Sequence, residues 1–389
     1  MIFLRIGIWD FKSIDSVEID LAPLTLLLGP PASGKSNILD AIALAGYFNR
    51  FLLLDKEYGN NTSNLEPPAL VLRFNTHEQL FRHHDLTKKI SIEIIDGGKP
   101  TIFRMRFEGG KFLITINGFN IPWDLRNLNI AQNNIQKIKI SLNQVAKDKF
   151  VESRLYGYDR YGLATSICTS PAICGFHMHL KKQQERPFPR NIMSEFGWNA
   201  SLLIKTVSDV IVSLNDTIME HLGEKVEIKV LKSGATTIFD YHYEIDTQTV
   251  SDSIFRALYY LMALRTATKY IKVHGLERRF ILMLEEPEAH LFPFFINLLV
   301  KYIVKTIKLA YVVVTTHNPI LVSALWDKVK KVRTYYVYRD TRGSTRAHEI
   351  DVEKLAEEMK TVEELLFMSP RDVLNKFVIH EKTSVKTKE

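Results

Sequence analysis

The chain has 389 residues, 46% hydrophobic and 24% charged, enough for one large domain or two intertwined lobes. Two cysteines, Cys168 and Cys174, exclude a disulfide scaffold and fit a reducing compartment. The net charge of +7 permits contact with nucleic acid without demanding it, since scattered surface lysines give the same total. The longest apolar stretch, Leu291 to Val304, is broken by Asn297 and Lys301 and falls short of a membrane span. Met1-Ile-Phe-Leu4 is too short for a secretory apolar region, so the expectation is a cytoplasmic protein without membrane insertion.

In chain order, Ile2–Ile8 and Ser16–Leu21 read as short strands, followed by a Leu-rich strand from Leu24. That strand runs into Gly29-Pro-Pro-Ala-Ser-Gly-Lys-Ser36, a G-x-x-x-x-G-K-S loop, and then into the helical pattern Asn37–Leu44. Strand, glycine-rich loop and helix in this order form a phosphate site. Gly34 lets backbone approach phosphate oxygens, and the new helix turns its free N–H groups and positive dipole end toward them. Lys35 neutralises β/γ-phosphates, and the Ser36 hydroxyl ligates Mg²⁺. The candidate contact set is Gly29, Pro30, Ala32, Ser33, Gly34, Lys35, Ser36 and Asn37, for a nucleoside triphosphate.

A polar loop, Asp55–Pro68, leads into strand-like runs at Ala69–Phe74, Lys89–Ile95, Thr101–Phe107 and Lys111–Ile116. Gly-Gly and Asn-Gly turns between them predict an antiparallel sheet. Residues 122–150 are rich in Asn and Gln and carry no clear pattern. The basic clusters Lys137–Lys149 and Lys181–Arg190 read as solvated charged faces, and the two prolines in Arg186–Arg190 as a lobe boundary. Asn199–Gly223 predicts one amphipathic helix, Lys225–Leu231 and Thr237–Ile245 a hairpin, and Ser251–Lys269 a further helix. Strand Arg279–Leu284, helix 290–307, strand Tyr311–Thr315 and helix Pro319–Leu325 then alternate, which implies a parallel core. No internal repeat and no coiled-coil heptad series is present.

Phe280-Ile-Leu-Met-Leu-Glu285-Glu286-Pro287 is an apolar strand ending in paired carboxylates, which would face the phosphate loop from the carboxyl edge of the same sheet. Glu285 then belongs to the Mg²⁺ shell, and Glu286 polarises the water that attacks the γ-phosphate. A plain acidic strand end, or a metal cluster of Glu285, Glu286, Glu288 and His290, are the competing readings. His317, after the buried run Tyr311–Thr315, reaches the same edge and is a candidate contact to the γ-phosphate or the attacking water. Cys168, Cys174, His177 and His179 match no tight zinc spacing. Tyr156, Tyr158 and Tyr161 read better as an aromatic loop at a lobe junction than as base-stacking groups.

Gly29–Ser36, Leu284-Glu-Glu-Pro-Glu-Ala-His-Leu291 and Thr315-Thr-His-Asn-Pro319 together resemble the ABC-class ATPase heads of the RecF, OLD and chromosome-maintenance kind, in particular stand-alone AAA-type members. The opening Ile8-Trp-Asp-Phe-Lys-Ser-Ile14 is similar to the family's first strand, and Asn191–Asn199 resembles its entry to the helical lobe. The resemblance implies an α/β P-loop head with a mixed central sheet, an antiparallel β subdomain and an inserted helical lobe. It divides the head into residues 1–165, 166–272 and 273–389. It implies ATP and Mg²⁺ as cofactors, Lys12 near the nucleotide, and ATP sandwiched between two heads against a signature helix at Ser251-Asp-Ser253. Ser253 stands where the family usually has glycine, and Pro31 and Ala32 where it more often has Asn and Gly. The coupling glutamine has only Gln144 as a candidate, and Arg154 or Arg160 are placed near the lobe junction.

The sequence therefore predicts a head without long coiled-coil arms or an appended nuclease. Its expected activity is Mg-dependent ATP hydrolysis, with an ATP-dependent homodimer acting on a protein or nucleic-acid partner. The alternatives are a nucleotide-dependent scaffold with little turnover and a small-molecule phosphotransferase, which would not need Glu285, Glu286 and His317 together.

Overall fold

The computed structural model describes residues 4–47, 72, 74, 76–97, 100–121, 151–157, 191–195, 197, 199–223, 226–230, 236–245, 251–358 and 361–379. Asp55–Pro68, most of Ala69–Phe74, Gln144, both basic clusters, Tyr158, Arg160, Tyr161, Arg186–Arg190 and the Cys168–His179 group lie outside the described residues.

β1 (Leu4–Phe11), β2 (Ile14–Leu21) and β3 (Leu24–Leu28) lead into α1 (Lys35–Tyr47). β4 (Ile90–Asp96), β5 (Thr101–Glu108), β6 (Lys111–Ile116) and β7 (Phe119–Ile121) form the expected antiparallel series, and β8 (Glu152–Tyr156) follows. β9 (Val226–Val230), β10 (Thr236–Asp240) and β11 (Tyr243–Ile245) form a separate three-stranded sheet. The run read as one strand, Thr237–Ile245, is thus two, because Tyr241 adopts a left-handed turn between them.

β12 (Phe280–Glu285), β13 (Tyr311–Thr315), β14 (Val332–Arg339) and β15 (Thr345–Glu349) complete a twelve-stranded sheet of order β7-β6-β5-β4-β1-β2-β15-β14-β3-β13-β12-β8. The pairs from β14 through β3, β13 and β12 to β8 are parallel, while those from β1 to β7 are antiparallel. β3, β12 and β13 are buried on both faces, as their unbroken apolar runs require. Alternation then divides their side chains. Leu24, Leu26 and Leu28 join one core with Leu282, Leu284, Val312 and Val314; Leu27, Ile281, Met283 and Val313 join the other with α1.

The helices on the first face are α2 (Ser208–Leu222), α3 (Asp252–His274), α4 (Pro293–Thr306) and α5 (Pro319–Lys328), and α6 (Val352–Glu358), α7 (Val362–Phe367) and α8 (Pro370–Phe377) follow. The single helix expected over Asn199–Gly223 is broken. One turn, Ala200–Leu203, passes through the 3-10 segment Ile204–Val207, and Val207 leaves the helical region before α2 starts. The Thr206 hydroxyl donates to the Leu203 carbonyl at 2.7 Å, a local bond that competes with continuous helix. α3 runs past Lys269 to a left-handed Gly275. α4 starts three residues later than expected, because His290 has positive φ and Pro293 suits the first helical position.

Register sets the functional edge. Glu285 lies beside Thr315, Thr315 beside Leu27, and Leu28 beside Tyr336. The phosphate loop, the paired carboxylates and the His317 turn therefore leave the sheet side by side.

Candidate functional site

Two glycines give the loop its path for steric as well as conformational reasons. Gly29 has φ 142°, and an added Cβ would lie 1.9 Å from the Val337 carbonyl oxygen. Gly34 has φ 104°, and a Cβ there would lie 2.0 Å from Thr345 Oγ1. Ala32 also adopts positive φ, at 58°. Lys35 is buried at the start of α1, and its ammonium donates to the carbonyls of Gly29 and Pro30, each at 2.9 Å. Burial lowers its pKa to about 8, against the opposing pull of the Glu286 and Glu285 charges. Ser33 Oγ is buried with no hydrogen-bond partner, and Ser36 is half-buried in the first turn of α1.

Asn37 of α1 and Lys12 of the β1–β2 turn tie these two elements together. Asn37 Nδ2 donates to Ser13 Oγ at 2.6 Å. Lys12 donates to Asp40 of α1 at 2.6 Å and to the Leu72 carbonyl at 2.7 Å, so its charge is held at the flank of the first helix.

Glu285 ends β12, and its carbonyl accepts from the Tyr260 hydroxyl of α3 at 2.8 Å. Glu286 turns out at φ 42°, with its N–H on the Thr315 carbonyl at 3.0 Å. Its carboxylate meets His317 Nε2 at 2.5 Å. That bond holds the Glu286 pKa below the usual carboxylate value; burial opposes it, and the His317 and Lys35 charges add to the lowering. The carboxylate is therefore ionised at neutral pH, and the imidazole donates. Asn318 fixes the His317 turn by accepting from the N–H groups of Ile320 and Leu321, at 2.8 and 3.2 Å, as the cap of α5.

Glu288 points the other way. It is buried, one oxygen accepts from the Thr316 hydroxyl, and the second has no partner. Burial raises its pKa to about 7. The alternative metal cluster thus does not converge, and among the described residues no group of three or more His, Cys, Asp or Glu is arranged around an ion.

Ser251 occupies the N-cap position of α3 and makes no side-chain capping bond. Ser253, which stands where the resembled family usually has glycine, accepts from the Phe292 N–H at 3.0 Å. Arg154 is fully buried, bonded to Glu152 at 2.9 Å and paired with Glu195 at 3.6 Å, at the junction of β8 with the segment leading to α2. Tyr156 is buried too, donating to the Met193 carbonyl at 2.7 Å, so it packs at this junction and is not open to a base.

The assembled edge is a phosphate loop on β3, with a histidine after the adjacent strand β13 and two carboxylates at the end of β12, two strands away. Residues 5–189 match the AAA domain family. The structure of an Smc head bound to the C-winged helix domain of ScpA aligns with 92% of this chain and 100% of its own, at TM-score 0.52 and 15% identity. The fold is that of an SMC-type P-loop ATPase head. The SMC head from Thermotoga maritima aligns at TM-score 0.42 and 13% identity over 90% of this chain and all of its own. An Smc head with an extended coiled coil, bound to the C-terminal domain of ScpA derived from Pyrococcus furiosus, aligns at 0.47 and 14% over 94% and 100%. None of the curated proteins compared with the sequence matches it.

The head's own atoms suit a polyphosphate. A desolvated ammonium held by carbonyls and a Ser33 hydroxyl with no partner among the described residues lie in a loop at a helix N-terminus. The Ser36 hydroxyl and the Glu285 carboxylate are hard oxygen groups, the donor type that Mg²⁺ takes. Sequence reasoning missed Tyr260, Thr316, Arg339 and Thr345, whose roles depend on contacts across the fold. Among the described residues no helix is long and apolar enough to cross a membrane.

Proposed function

We propose that the protein hydrolyses ATP with Mg²⁺ at this edge, as one ABC-type head. In this reading residues 1–165 and 273–389 build the nucleotide-binding lobe around the helical lobe 166–272. The observation that carries it is the ionised Glu286 carboxylate held by His317, at the ends of β12 and β13 beside the Lys35 loop. Gly29, Pro30, Ala32, Ser33, Gly34 and Lys35 hold the phosphates, with Asn37, Lys12 and Ser251 as flanking contacts. Bound Mg²⁺, on Ser36 and Glu285, would neutralise phosphate charge. Glu286 accepts the proton of the attacking water, and His317 holds that carboxylate in place.

ATP-dependent pairing of two heads would pass the change to a partner. The ScpA segment seated on the aligned Smc head makes a protein the partner class to test first. A second reading, a nucleotide-dependent scaffold with little turnover, draws on Ser253 and the uncapped Ser251, where a second head's γ-phosphate would have to approach.

Mg-ATP hydrolysis measured against protein concentration separates the two. The first reading expects a specific rate that rises with concentration and falls about 100-fold or more in Glu286→Gln, the range for loss of a general base. Phosphate release identical in wild type and Glu286→Gln would overturn it.

A further inference from the structure

We infer that the hairpin between β14 and β15 is a brace for the phosphate loop, with Arg339 and Thr345 as positioning residues for nucleotide binding. This rests on the ATP-binding reading above and adds residues that no sequence motif marks.

The hairpin is rigid in its own right. Asp340 accepts from the N–H groups of Arg342 and Ser344, each at 2.9 Å, and its other oxygen accepts from Arg346 Nε at 2.9 Å. The Gly343 N–H returns to the Asp340 carbonyl at 2.9 Å. From this frame Arg339 Nε donates to the Ala32 carbonyl at 3.0 Å, while Nη1 donates to the Gly343 carbonyl at 2.6 Å. Thr345 is fully buried, and its hydroxyl donates to the Ser33 carbonyl at 3.0 Å. Ser13 Oγ lies 2.7 Å from Thr345 Oγ1, and the Thr345 N–H donates to the Ser13 carbonyl at 2.9 Å, so the frame is continuous with the β1–β2 turn.

Two consecutive loop carbonyls are therefore held toward the hairpin. In a planar trans peptide the C=O and the following N–H point in opposite directions. Fixing the Ala32 and Ser33 carbonyls outward turns the N–H groups of Ser33 and Gly34 inward, as an anion nest requires. The Ser33 N–H rests on the Pro30 carbonyl at 3.3 Å, the same oxygen that Lys35 uses. A phosphate oxygen replaces that carbonyl for both donors without any change at the hairpin. Gly34 belongs to the same design, because only a residue without Cβ lets the loop lie against Thr345.

The test measures binding of a fluorescent ADP analogue by anisotropy, alongside steady-state hydrolysis. Arg339 is exposed, so its replacement leaves the core intact. Arg339→Ala should raise Kd about tenfold, the loss of one charge-assisted hydrogen bond, with KM rising by more than kcat falls. Arg339→Lys, which keeps the charge but cannot bridge both carbonyls, should recover part of the affinity. Thr345→Ser should bind as wild type, and Thr345→Val should weaken binding. Arg342→Ala, in the same exposed hairpin but with no side-chain bond to the loop, should bind as wild type. Equal ADP affinity in wild type and Arg339→Ala overturns the brace, as does an equal loss in Arg342→Ala, which would mean general charge alone. If wild type itself binds no ADP, the ATP-binding reading falls first.

Discussion

Replacing Glu288 by Gln gives a direct measure of how the turn after β12 is held. The Glu288 carboxyl is buried, and its pKa is raised from 4.5 to about 7 by that burial; the Glu286 charge adds to the rise, and the Thr316 hydrogen bond and His317 charge oppose it. The native protein thus keeps a proton that the unfolded chain releases above pH 4.5. Stability from this group is complete below pH 4.5 and declines as pH rises toward 7, the sign for an acid with a raised native pKa. The full difference, at 1.36 kcal/mol per unit, is about 3 kcal/mol. Glutamine keeps an acceptor for the Thr316 hydroxyl but buries two unpaired N–H donors where the protonated acid buries one O–H, so the test reads how the difference between the two proteins changes with pH. Between pH 5 and pH 8, urea unfolding midpoints of the ligand-free proteins should shift against each other, with Glu288→Gln gaining about 2 kcal/mol relative to wild type. A difference that stays constant across this range, or grows in favour of wild type, would refute the buried neutral carboxyl.

Two further outcomes follow from the charged groups of the site. Lys35 has its pKa lowered to about 8 by burial, so in the free protein the cation that meets phosphate is lost as pH rises through 8. ADP affinity by titration calorimetry should be flat below pH 7 and weaken above pH 8 in wild type, while Lys35→Arg should stay flat to pH 9.5; parallel profiles would show that Lys35 does not carry the dependence. His317 supplies the largest lowering of the Glu286 pKa. In His317→Ala the acidic limb of the hydrolysis profile should move to higher pH, with kcat reduced about tenfold at pH 7 by loss of the oriented base; an unmoved limb would separate His317 from Glu286.

The parts of the head that were legible in the sequence are those set by local pattern. β3 and β12 are unbroken apolar runs closed by Gly29 and by Glu285-Glu286, and the loop glycines announce themselves. What escaped was built from distant contacts. Arg339 meets Ala32 across 307 residues, and the β14 run mixes Tyr and Arg with Val, so neither its strand nor its partner stood out. Glu288 sits inside the most recognisable string of the chain, yet its inward direction depends on the turn made by Glu286, whose positive φ no local pattern demands. The broken helix before α2 failed for a similar reason: its apolar spacing is helical, but the Thr206 hydroxyl and the conformation of Val207 interrupt it.

The bonding pattern also shows how the two sides of the site are supported independently. The phosphate loop is held from the β14–β15 side by Arg339 and Thr345. The carboxylate turn is held by α3, through the Tyr260 hydroxyl on the Glu285 carbonyl and Ser253 on the Phe292 N–H. These two α3 contacts lie seven residues apart, two turns of one helical face, so a rotation or shift of α3 moves both ends of the segment Glu285–Phe292 together. Ser253 is then an acceptor for a backbone N–H beside the first turn of α4, and a glycine there would leave that tie unmade. The Ser253 side chain links α3 to the end of the carboxylate turn. Two hydrogen bonds made within one chain thus tie α3 to the segment that carries Glu286.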